Sequence, residues 1–151
     1  MSDLMDLYQE VILDHNKTPR NFGSLDDADH TAEGHNPLCG DQLRLFIKMD
    51  GDRVEQIRFE GSGCAISTAS ASLMTEVVGG KTREEVEALY ESFHELLTGD
   101  PSVVAQAGPE LGKLAVFSGV REYPVRVKCA TLAWHTLQAA LKEEEAPVST
   151  E

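Results

Sequence analysis

Three cysteines and one aspartate are the residues of this chain best placed to do chemistry. Cys39 opens the triplet Cys39-Gly40-Asp41, Cys64 closes Gly61-Ser62-Gly63-Cys64, and Cys129 ends Tyr123-Pro124-Val125-Arg126-Val127-Lys128-Cys129. Each stands at a joint between one local pattern and the next. Three thiols and a carboxylate make a full tetrahedral donor set for zinc, or anchors for an iron–sulfur cluster. A thiolate is also a nucleophile, so the same positions suit sulfur chemistry.

Position by position, the pattern favours ionised donors. Cys39 and Asp41 are two apart, so in extended chain their side chains share a side, and Gly40 lets the backbone bend between them. Cys64 is expected at a helix N-terminus, where free amides and the macrodipole favour thiolate. Cys129 is expected at the start of the last helix, with Arg126 and Lys128 supplying nearby positive charge. Asp41 is the hardest and most exchangeable donor, which suits a site made to open rather than a purely structural one. A single unpaired cysteine is commonly an inert buried residue. Three at such joints, one beside an aspartate, are better explained by a site.

Other chemistries lack a signature. There is no Cys-x-x-Cys pair, Ser/His/Asp spacing or phosphate-binding glycine loop, which disfavours dithiol redox, hydrolase and nucleotide enzymes. His35 lies four residues before Cys39 but reads as a surface-loop residue. His15 and His94 read as helix-surface residues, His135 falls one helical turn or so after Cys129, and His30 carries no signal.

The 151-residue length suits one domain, over 1–142, followed by an acidic flexible tail over 143–151. A net charge of −13 repels phosphate backbones, which argues against nucleic acid, and suits either solubility or a partner with a basic rim. No stretch has the apolar length of a membrane span, and the N-terminus lacks a basic signal-peptide start, so a cytoplasmic location is expected. An odd count of three cysteines argues against a disulfide framework.

The elements that must position these residues follow from periodicity. Leu4, Leu7, Tyr8, Val11 and Ile12 form one face of a helix ending near Asn16. The polar stretch 26–38 holds at most a short irregular strand. Leu43, Leu45 and Ile47, then Val54, Ile57 and Phe59, mark two strands joined at Asp50-Gly51, a hairpin signal. A helix rich in small residues spans about 64–78 and stops at Gly79-Gly80, its small side chains suiting close packing. Thr82-Arg83-Glu84-Glu85 is a capping box opening a helix through Val86, Leu89, Tyr90, Phe93 and Leu97. The stretch 109–117 has moderate helical character, and the last helix begins near Cys129. The fold class expected is α+β, a small antiparallel sheet of about three strands covered by helices.

Gly34-His35-Asn36-Pro37-Leu38-Cys39-Gly40-Asp41, Gly61-Ser62-Gly63-Cys64-Ala65-Ile66-Ser67 and Lys128-Cys129-Ala130-Thr131-Leu132-Ala133-Trp134 together resemble the U-type iron–sulfur assembly proteins, the IscU/NifU/SufU family. The resemblance extends over nearly the whole chain to about Lys142. It implies a SufE/NifU-like fold, a metal site of Cys39, Asp41, Cys64 and Cys129, and work beside a cysteine desulfurase. Lys128 stands where the scaffold branch has histidine, Glu122-Tyr123-Pro124-Val125-Arg126 replaces that branch's Leu-Pro-Pro-Val-Lys signal, and 96–120 resembles the SufU insertion. These departures imply a zinc-bound sulfur acceptor, with Cys39 taking persulfide sulfur from a SufS-like desulfurase for downstream Suf components or apo iron–sulfur proteins. Two alternatives are a scaffold building a [2Fe–2S] cluster and a non-catalytic adaptor stabilised by zinc.

Overall fold

The computed structural model describes residues 3–36, 40–99, 114, 117, 120, 123–142 and 148–149. The order of elements is α1 (Asp3–Lys17), β1 (His30–Asn36), β2 (Asp41–Asp50), β3 (Arg53–Ser62), α2 (Ala65–Val78), α3 (Arg83–Thr98), α4 (Pro124–Leu141) and β4 (Val148–Ser149). The expected α+β architecture is present: β1, β2 and β3 form an antiparallel sheet, and helices cover it. Gly51, with φ +62°, makes the turn between β2 and β3, as the Asp-Gly pair requires.

The stretch 26–38 is more regular than its polarity suggests. β1 pairs with β2 from His30↔Ile47 to Asn36↔Asp41 without a break. Its phase buries Ala32, Gly34 and Asn36 and exposes Thr31, Glu33 and His35. Within 143–151, Val148 and Ser149 pair in parallel with Gly34 and His35, giving the sheet order β3-β2-β1-β4.

Leu43, Leu45, Ile47, Val54, Ile57 and Phe59 supply the sheet's buried face. Helix α2 packs against α1, α4 and β3, and Ala69, Ser70, Ala71 and Ser72 are all buried. Its small side chains allow close approach: Ser70 Oγ donates across to the carbonyl of Ala130 in α4 at 2.5 Å. Trp134 of α4 stacks on Phe93 of α3, with ring centroids 4.9 Å apart, and Phe117 meets Phe93 edge-on. The Thr82 capping box forms in full, Thr82 Oγ1 accepting from Glu85 N while Glu85 Oε1 accepts from Thr82 N. The helical stretch expected over 109–117 lies outside the described residues except Leu114 and Phe117. Among the described residues, no helix is long and apolar enough to cross a membrane.

Two expectations need correction. Helix α4 starts at Pro124, so Cys129 lies in its second turn and not at its start. Proline is suited to the first helical position, where its missing N–H is no loss, and Tyr123-Pro124 is therefore the true boundary. His15 is buried rather than on the helix surface, at 1% exposure, with Nδ1 2.7 Å from Ser72 Oγ and Nε2 3.5 Å from Glu76. Packing of α1 on α2 covers it.

Candidate metal centre

Asp41, Cys64 and Cys129 come from three different elements and converge. One donor atom from each lies within 4.8 Å of the other two. Asp41 is fully buried at the first position of β2, Cys129 is buried in α4, and Cys64 is half-buried at the N-cap of α2. Cys39 lies outside the described residues, two positions before Asp41 in the connection from β1 to β2.

Local structure explains how the cluster is held. Cys64 takes extended backbone angles as N-cap, and its Sγ accepts from Ser67 N at 3.4 Å, as an N-cap side chain does. The Cys64 amide donates to Asp41 Oδ1 at 2.8 Å, and Cys64 Sγ lies 3.9 Å from Asp41 Oδ2. The carboxylate therefore sits against the positive end of α2. Glycine at 63 is required, because a Cβ there would stand 2.5 Å from Asp41 Oδ1. Gly40 takes φ +71°, a left-handed angle that lets the chain turn directly into Asp41.

The remaining candidates are placed as follows. His35 is exposed and faces away from Asn36, lining a groove of about 550 Å³ with Glu33, Gln42, Arg44, Glu60 and Ser62. It belongs to a strand, not a loop. Arg126 is exposed, its guanidinium carbon 4.7 Å from the Tyr123 ring centroid, and Lys128 is half-buried. His135 accepts or donates at 2.9 Å to the Tyr90 hydroxyl, away from the thiols, and His94 lies beside it.

One residue of the site was missed from sequence. Asn36, fully buried at the end of β1, donates from Nδ2 to Cys129 Sγ at 3.6 Å. The signal available was its phase: with Ala32 and Gly34 facing inward, Asn36 is a carboxamide at a core position, where strands seldom carry one.

Chemically, three acids brought together in a mostly buried setting repel one another when ionised, unless a cation joins them. Zinc–sulfur bonds of about 2.3 Å give tetrahedral sulfur–sulfur edges of about 3.8 Å. Donors within 4.8 Å need move inward by only about an ångström to reach that. The donor set fits a divalent, thiophilic ion.

The family described as NifU-like N terminal domain matches residues 7–130. The chain belongs to that family. It is 44% identical over 142 residues to the iron–sulfur cluster assembly scaffold protein IscU of Streptococcus pyogenes serotype M1, covering 94% of this chain and 87% of that protein. It is 42% identical over 147 residues to the zinc-dependent sulfurtransferase SufU of Bacillus subtilis strain 168, covering 95% of each. Among solved structures, a candidate iron–sulfur cluster assembly scaffold protein for the SUF system from Fervidobacterium islandicum AW-1 superposes with a TM-score of 0.75 at 36% identity, covering 90% of this chain and 97% of that one. A NifU-like N-terminal protein from Brucella abortus gives a TM-score of 0.78 at 26% identity, over 96% and 100% of the chains. The protein is thus an iron–sulfur cluster assembly protein of the IscU/SufU/NifU kind.

Proposed function

We propose that this protein is a zinc-dependent sulfurtransferase that accepts persulfide sulfur from a cysteine desulfurase on Cys39. The observation that carries the reading is the convergence of Asp41, Cys64 and Cys129, three donors held by the framework of β2, α2 and α4. Cys39 would complete a four-donor set of the kind zinc takes. With Cys39 engaged elsewhere, three donors still hold the ion.

Zinc, when bound, keeps its sulfur ligands ionised at neutral pH. The Cys39 thiolate attacks the outer sulfur of the desulfurase persulfide. A sulfur–sulfur bond forms on Cys39, the donor's sulfur–sulfur bond breaks, and the donor cysteine leaves as thiolate, with no net oxidation or reduction. Asp41, Cys64 and Cys129 stay in place throughout. Lys128 and Arg126, one and three residues before Cys129, supply positive charge on the turn leading to that thiolate, offsetting part of the formal charge of −2 on a zinc with three thiolates and one carboxylate. The acceptor of the sulfur is a downstream assembly component or an apo iron–sulfur protein.

Lys128 in place of the scaffold branch's histidine, and the similarity to the B. subtilis SufU over 95% of both chains, support this reading. A second reading, a scaffold that builds a [2Fe–2S] cluster on the same residues, is supported by the S. pyogenes IscU at 44% identity. Metal and sulfide analysis of anaerobically purified protein separates them. About one zinc per chain without a visible chromophore is the expected result for a single four-donor site. Stoichiometric iron and sulfide with little zinc would favour the scaffold.

A further inference from the structure

Each described donor of the centre faces an N–H. Asp41 Oδ1 takes the amide of Cys64 at 2.8 Å, and Cys64 Sγ takes the amide of Ser67 at 3.4 Å. Both amides come from the N-terminal turn of α2, where backbone donors are free of intrahelical partners. Cys129 occupies a different kind of helical position. It is the sixth residue of α4, beyond the first turn, where backbone N–H groups are committed to helical carbonyls. Its sulfur accepts from a side chain, the Nδ2 of Asn36, at 3.6 Å.

We infer that Asn36 is a positioning residue of the metal centre, its carboxamide holding Cys129 Sγ in the ligating rotamer and withdrawing charge from that sulfur. The inference rests on Cys129 being a ligand, as proposed above. A site with three thiolates and a carboxylate carries excess negative charge in a buried place, which is unfavourable unless N–H donors share it. Asn36 is fully buried, so water cannot substitute for its amide. It also pairs across the sheet with Asp41, so one pair of facing residues reaches two of the donors. Hydrogen-bond partners of metal ligands commonly govern metal affinity by tenfold or more.

Two full-length variants test this: Asn36→Leu, which removes the donor at similar size, and Asn36→Asp, which replaces it with an acceptor. Each is loaded with cobalt(II), and the sulfur-to-cobalt charge-transfer band is compared with that of the parent. Zinc release to a chelator is timed in parallel. A sulfur deprived of its N–H is more electron-rich, so the band should move to longer wavelength in both variants, and zinc should leave about ten times faster. An unmoved band in a folded variant overturns the assignment, even if zinc leaves faster, because that would be loss of packing alone. If neither variant folds, parent protein loaded with a spin-active cadmium isotope decides: scalar coupling between the Asn36 side-chain amide proton and cadmium supports the hydrogen bond to a ligating sulfur, and its absence overturns it. A parent that gives no thiolate–cobalt band sinks the metal reading and Asn36's role together. A parent band that both variants reproduce sinks only the role of Asn36.

Discussion

The backbone amide of Cys64 donates to Oδ1 of Asp41 at 2.8 Å, so the cap of α2 and the first residue of β2 are joined at the centre itself. The fold itself thereby fixes the Asp41 carboxylate in place. The carboxylate keeps its second oxygen toward Cys64 Sγ, 3.9 Å away.

Gly63→Ala tests that arrangement without touching a ligand. The added methyl would stand 2.5 Å from Asp41 Oδ1, so the carboxylate must shift. We expect zinc affinity to fall about tenfold, with a metal-free melting temperature only slightly lowered. Titration against a chromophoric chelator measures the first and thermal melts of chelator-treated protein the second. Unchanged affinity would mean that the position of Asp41 is immaterial to the metal.

Asp41→Ala should loosen the metal without abolishing its binding. The carboxylate is the most exchangeable donor, and the thiols remain. Zinc exchange, followed with an isotope or a competing chelator, should be faster than in the parent. Equal affinity and equal exchange would remove Asp41 from the ligand set.

Replacing the two framework cysteines should give different outcomes because they occupy different helical positions. Serine is a favoured N-cap, so Cys64→Ser should weaken metal binding while leaving metal-free stability within about 0.5 kcal/mol of the parent. Cys129→Ser puts a hydroxyl in the buried interior of α4 and should cost about 1–2 kcal/mol in the metal-free state as well. Denaturant unfolding of chelated protein distinguishes them. Equal losses would show that the helical positions do not matter.

Stability of the metal-free chain should depend on His135. Burial holds its imidazole below the usual 6.5, and neighbouring His94 adds to the effect. The unfolded chain takes up this proton near 6.5 and the folded chain only at lower pH. Between those values the unfolded state binds more protons, so stability falls as pH drops through that window and levels off below the folded value. His135→Gln should flatten this part of the profile, measured by melts of chelated protein between pH 7 and pH 5 (roughly the range over which histidine changes charge). A profile as steep as the parent's would place the effect elsewhere.

What could be read from sequence was what is encoded locally. Asp50-Gly51, the Thr82 capping box and the Gly79-Gly80 stop each rest on a few adjacent residues, and each forms as expected. The convergence of Asp41, Cys64 and Cys129 was legible because each stands within a distinctive short motif. The burial of His15 was not, since its partners Ser72 and Glu76 lie on α2, more than 50 residues away in sequence. The start of α4 is encoded at Pro124, whereas Cys129 five residues later carries no boundary signal of its own. Asn36 was hidden for a different reason: its meaning depends on the phase of β1, whose polar composition obscured that it is a regular strand.

The central claim is that Cys39 is the sulfur acceptor, and one measurement tests it most directly. Zinc-loaded parent and Cys39→Ser protein are each mixed with a cysteine desulfurase and free cysteine, then alkylated and analysed by peptide mass spectrometry alongside desulfurase turnover. The account expects one added sulfur on the Cys39 peptide of the parent, none on Cys64 or Cys129, and loss of both labelling and stimulated turnover in the variant. Serine's hydroxyl is a far poorer sulfur acceptor than a thiolate, whereas three ligands remain to hold the ion. Stimulation of the desulfurase at parental rate by Cys39→Ser, or added sulfur found on Cys64 or Cys129 instead, would contradict it.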